Sequence, residues 1–154
     1  MRRRSVGALL LVAALTAGSG LAGCTAARNG LGTGASQCFR VLPEARAAVG
    51  KAATFEGVTK ARGSVLVKAL ESPGLAATPP EALRQMSRRT TCAVAYRGHF
   101  SVAGVARGWA AEPTGPYHAG VVVMDLSDER VIATLLFRKV THPIEFLYRP
   151  DGAA

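Results

Sequence analysis

The chain has no apolar run long enough to cross a membrane as a helix. Its strongest candidate, residues 6–17, covers twelve residues. At 1.5 Å per residue these reach about 18 Å, well short of a hydrocarbon core roughly 30 Å thick. Cysteine is scarce, with three in 154 residues. None of the three is spaced C-x-x-C, so zinc ribbons and dithiol redox motifs are disfavoured. The three histidines, His99, His118 and His142, stand about 20 residues apart, whereas a zinc site usually draws two ligands from close in sequence. His99 and His118 could meet across neighbouring strands, but no third ligand suggests itself, and no metal or other cofactor is expected. The sequence has no G-x-S-x-G, and no glycine-rich phosphate loop follows an expected strand, so neither a serine-hydrolase elbow nor a nucleotide site is indicated. Ser101 has nothing diagnostic around it. No internal repeat is present.

Acidic residues are also few, ten against nineteen Lys and Arg, for a formal charge of +9. Arginine dominates the cations, fifteen to four. Three of the arginines, Arg2, Arg3 and Arg4, open the chain directly before the apolar stretch. Gly18, Ser19 and Gly20 then break it, and Leu21-Ala22-Gly23-Cys24 follows. A basic start, a short apolar segment and small residues form an export signal. The last four residues resemble the lipobox of bacterial lipoproteins: an aliphatic residue, two small ones, then cysteine. The resemblance covers residues 1–24 and matches at all four box positions. It implies cleavage before Cys24, diacylation of the Cys24 thiol, and anchoring to the outer side of the cell membrane. Each buried CH₂ of the lipid contributes about 0.8 kcal/mol, so two or three acyl chains hold firmly. The competing reading is an ordinary secretory signal with a chance cysteine. The twin arginines leave the export route open between Sec and Tat.

With residues 1–23 as signal, residues 24–36 form the lipidated cysteine and a small, Gly-rich tether. Twelve such residues have an r.m.s. span of about 19 Å. Residues 37–150 form one domain of ordinary size. Removing the leader leaves sixteen basic and ten acidic side chains, a surplus that favours anionic surfaces such as phospholipid head groups or acidic wall polymers. Once Cys24 carries lipid, Cys38 and Cys92 are left to each other. In an oxidising compartment a disulfide is the default, closing a loop of just over 50 residues.

Within the domain, residues 38–49 carry apolar residues at helical spacing, with Pro43 in the first turn and Gly50 as the stop. Residues 53–59 read as a strand, and 64–71 as a helix capped by Ser64. Thr78 and Glu81 form a capping box for a helix over 79–87. Residues 91–96 and 99–106 read as strands around a turn at Gly98. Residues 118–126 and 131–140 form an antiparallel hairpin, the first strand buried on both faces. The expectation is an α+β domain: an antiparallel sheet of four to five strands, two to three helices packed on one face, the first half rich in helix and the second a β-meander.

The longest unpatterned stretch in the domain's second half, 107–117, holds the one tryptophan. Arg107, Trp109, Tyr117 and the adjoining His118 are therefore the candidate binding loop. The bland alternative is that Trp109 merely anchors the loop to the sheet edge. Arg84, Arg88 and Arg89 could meet an anionic partner or simply be a solvated helix face. Asp125, Asp128 and Glu129 cluster at the hairpin turn without the spacing of a calcium loop. No residue presents itself as catalytic. The reading is a membrane-anchored, non-enzymatic binding module at the cell envelope, facing an envelope protein or an anionic polymer and not nucleic acid. The rivals are a small envelope enzyme without a recognisable motif, or a structural lipoprotein.

Overall fold

The computed structural model describes residues 33–72, 75 and 77–139. Cys24 and His142, with the signal and most of the tether, lie outside the described residues. The domain is α+β, as its pattern implies. Five strands, β1 (Thr54–Arg62), β2 (Thr90–Phe100), β3 (Gly108–Ala110), β4 (Tyr117–Asp125) and β5 (Val131–Phe137), form one sheet in the order β1-β2-β4-β5-β3. All neighbours are antiparallel except β3, which runs parallel to β5. The sheet is therefore mixed, and not the plain meander expected of the second half.

The helices divide between the two faces of the sheet, where one helix-bearing face was expected. A 3-10 segment, Thr33–Val41, leads into α1 (Leu42–Val49). The 3-10 turns thus begin at Thr33, within the stretch read as tether. Pro43 sits in the first turn of α1, and Gly50 ends it at φ 80°, a backbone state that glycine adopts without a Cβ penalty. Val41, Ala45, Ala48 and Val49 turn inward against Cys92, Val94, Tyr96, Val122, Met124 and Leu136. On the opposite face α2 (Gly63–Glu71) and α3 (Glu81–Gln85) bring Leu66, Ala69, Leu70 and Leu83 onto Ala93, Ala95, Val121, Val123, Leu135 and Phe137. Successive strand residues point to opposite faces. Strands β2, β4 and β5 are covered on both, and so carry unbroken buried runs instead of an alternation.

Neither expected helix cap forms. The α2 helix starts at Gly63, and no side chain caps it. Its first N–H groups donate instead to the turn after α3: Gly63 N to Arg89 O at 3.0 Å and Ser64 N to Ser87 O at 2.8 Å. A Cβ on Gly63 would lie 2.3 Å from the Met86 carbonyl oxygen, so only glycine fits this junction. The α3 helix is shorter than the 79–87 expected, and Thr78 and Glu81 do not close a capping box. Past Gln85 the chain tightens into i→i−3 turns, Met86 N to Leu83 O and Ser87 N to Arg84 O, and the carbonyls of Ser87 and Arg89 accept from α2. The strand expected over 99–106 is also absent. Strand β2 runs through Gly98 to Phe100, and a 3-10 turn, Val102–Gly104, follows. Gly98 is no turn; it sits where the β2–β4 register shifts.

Candidate functional site

Cys38, in the 3-10 segment, and Cys92, on β2, meet at disulfide-bonding distance with Cα atoms 5.6 Å apart. The link ties the entry of the domain to an interior strand of the sheet, as the cysteine count implied. Lys60 on β1 is the direct register partner of Cys92. The strands therefore place a lysine beside the residues that flank Cys38.

An open groove of about 930 Å³ lies there, lined by Gln37, Arg40, Lys60, Arg89, Thr90 and the start of the β4–β5 turn. Three cations reach it from three separate parts of the chain: Arg40 from the 3-10 segment, Lys60 from β1, and Arg89 from the turn into β2. Their partners differ. Lys60 donates to the neutral Gln37 Oε1 at 2.6 Å. Arg40 lies 3.7 Å from Glu129, with both side chains largely exposed, a pair of little energetic weight. Arg89 holds the buried Asp125, Nη1 to Oδ2 at 3.1 Å.

Asp125 is 5% exposed and well satisfied. Its Oδ1 accepts from Ser127 N at 2.8 Å and Ser127 Oγ at 2.7 Å, a turn motif that fixes the corner of the hairpin. Burial alone would raise the Asp125 pKa. The two Ser127 hydrogen bonds and the Arg89 charge outweigh it and hold the carboxyl below its ordinary value. The Ser127 hydroxyl is thus engaged by a carboxylate, and no histidine among the described residues lines the groove. What the groove offers is positive charge, with Arg40 and Lys60 free of any strong ion pair among the described residues.

The four residues of the candidate loop do not form one surface. Trp109 lies in β3, half-buried, with Leu135 as register partner, and packs on the α2–α3 side. Tyr117 is buried with the α1 cluster and donates its hydroxyl to Glu112 O at 2.8 Å. Arg107, exposed at φ 49°, uses its carbonyl to accept from Thr134 N. His118 is exposed at the far end of β4 and meets His99, ring centroids 5.0 Å apart. Of the helix arginines, Arg84 pairs with Glu81 at 2.7 Å, and Arg88 lies beyond the end of α3. Asp128 is taken by Arg130. No group of three or more metal-ligating side chains forms among the described residues.

Sequence reasoning missed Arg40 and Lys60, since neither belongs to a motif. Only the register of β1 against β2 and the cysteine link bring them together. A second groove, of about 540 Å³, lies along α1 and β1, where Phe55 and the buried Tyr96 meet edge to face at 6.0 Å. Arg46 crosses it over Tyr96 and donates to the carbonyls of Ala53 and Lys51. Its cation is thereby tied to the backbone. Compared with family models, with curated proteins and with solved structures, the chain finds no match in any of the three.

Proposed function

We propose that this chain is an exported lipoprotein, anchored through Cys24 to the outer side of the cell membrane, whose domain is a non-enzymatic module that binds phosphate-bearing anionic groups. The observation that supports the binding role is the convergence of Arg40, Lys60 and Arg89 on one open groove whose buried carboxylate is already satisfied. Guanidinium and ammonium groups are the usual partners of phosphate oxygens. The groove includes Gln37 and Arg40, so it lies close in sequence to the tether, on a part of the domain that a short tether can hold near the head groups. A protein partner would more typically need a broad apolar core with aromatic anchors. The exposed large apolar residues among those described, Phe39, Phe55, Val65 and Val102, come from four separate segments.

Two experiments test this reading. Cys24→Ala should release the protein from the membrane fraction; retention would remove the anchor. The domain from residue 25 onward, offered vesicles rich in phosphatidylglycerol and, separately, soluble polyphosphate, should bind one or both in a salt-sensitive way. Arg40→Glu with Lys60→Glu should weaken that binding at least tenfold. Preference for vesicles identifies a head group, and preference for polyphosphate identifies a polymer. Binding that survives the double charge reversal would overturn the groove's role.

A further inference from the structure

At the end of the sheet remote from the groove, β2 and β4 present His99 and His118 to each other. We infer that this pair is a two-histidine site for a late first-row divalent cation such as Zn²⁺ or Cu²⁺. The site follows from the strand register. Arg97 is opposite Ala119 and Phe100 is opposite Tyr117, so two residues of β2, Gly98 and His99, stand against the single residue His118. This is a β-bulge, a device that re-aims a side chain at a sheet end. Continuing the Phe100–Tyr117 register puts His99 directly across from His118. Facing residues of antiparallel strands share a side of the sheet. Phe100, Tyr117 and Ala119 are buried around them, while both histidines are exposed. Glycine suits the bulge: a Cβ on Gly98 would lie 3.1 Å from the Phe100 ring.

The separation matches the chemistry. Two imidazoles on one tetrahedral ion, at metal–nitrogen distances of about 2.0–2.1 Å, leave their ring centres about 5 Å apart. The rings of His99 and His118 stand 5.0 Å apart, inclined at 78°. Imidazole suits zinc, copper and nickel over magnesium or calcium. Two ligands on paired strands bind with the second already at high effective concentration. Water would fill the remaining positions, leaving an open site to which a further ligand can add. Thr90 and His99 are nine residues apart on β2, about 30 Å at 3.3 Å per residue, so this site is separate from the cationic groove.

The test is a titration of the full chain, purified in detergent, with Zn²⁺ by calorimetry and with Cu²⁺ by electron paramagnetic resonance. The expected result is one site with two histidine nitrogens on copper. His99→Gln and His118→Gln should each weaken it at least tenfold, and the pair of changes together little more than either alone. Both side chains are exposed, so both variants should fold, with circular dichroism as the check. Arg40→Glu should leave metal binding unchanged. Undiminished binding in either histidine variant, or copper spectra showing a single histidine nitrogen, would overturn the site.

Discussion

The two faces of the sheet are covered by different means. On the α1 side, an eight-residue helix and a 3-10 segment cover a surface that includes Tyr96, Phe100, Tyr117 and Met124, with the Cys38–Cys92 link fixing the cover to the sheet. On the other side, α2 and α3 have no covalent link. There the sheet offers small residues, Ala93, Ala95, Ala119 and Ala133, and the helices fill the space with Leu66, Leu70 and Leu83. The first face relies on a cross-link and the second on close packing. The cross-linked face has the groove at its rim, where Gln37 and Arg40 flank Cys38 in the 3-10 segment. A 3-10 segment is a weak element by itself. Groove residues placed on it need an external constraint, which the cysteine pair supplies.

Four perturbations break or sharpen this contrast, in falling order of effect. Replacing Cys38 and Cys92 by serine frees a loop with a sequence separation of 54, which the chain-entropy model values at about 4 kcal/mol. Urea denaturation should show a loss approaching that figure. Hydrogen exchange should rise first in residues 33–49 while α2 and α3 keep their protection. Next, Leu83→Ala removes the one buried side chain of α3 and should cost about 3 kcal/mol, with exchange rising on the opposite face. Equal exchange on both faces in either variant would show that the two covers are not independent. Gly63→Ala drives a methyl against the Met86 carbonyl and should cost about 2 kcal/mol, parting α2 from the turn after α3.

The smallest effect concerns pH. Asp125 has a folded pKa below its ordinary value. The stability it contributes is therefore complete above the unfolded value near 4 and fades as pH falls through the lower folded value. Asp125→Asn should cost about 1.5 kcal/mol at neutral pH, in line with the loss of charge-assisted hydrogen bonds. The gap from the parent should close below about pH 4. A gap that stays constant down to pH 2 would show that the carboxylate charge is not what holds the corner.

The parts of the fold legible in the sequence are those written as long apolar runs. Strands β2, β4 and β5 announce themselves because burial on both faces fills most of their positions with apolar residues. Gly50 and Pro43 mark α1 because their backbone preferences are intrinsic. Gly98 misled because a glycine at a bulge and a glycine at a turn look alike without the partner strand. Thr78 and Glu81 misled because α3 is entered through Pro80, whose carbonyl takes the Leu83 and Arg84 N–H groups, two residues past the threonine. The groove was hidden for a related reason. Arg89 and Asp125 are 36 residues apart, and a carboxylate in a hairpin turn reads as solvated until its partner is known. The cysteine pair was legible because the lipobox resemblance set Cys24 aside and left two thiols to be matched.

The position of β3 has a consequence for how the chain is put together. This strand precedes β4 and β5 in the sequence, yet its only partner is β5, the last described strand. Until residues 131–137 have been delivered, Trp109 has no strand edge to dock against. For a chain threaded through a membrane from its N-terminus, as proposed above, the sheet's far edge must wait for nearly the whole domain to cross. The pairing of β1 with β2 and the closure of Cys38 on Cys92 need nothing beyond Phe100. Assembly would then run from the anchored end outward, with the cross-linked face formed while the rest of the chain is still arriving. Sequence distance does not set this order, since β3 and β5 are closer along the chain than the paired residues of β1 and β2; the order of delivery does.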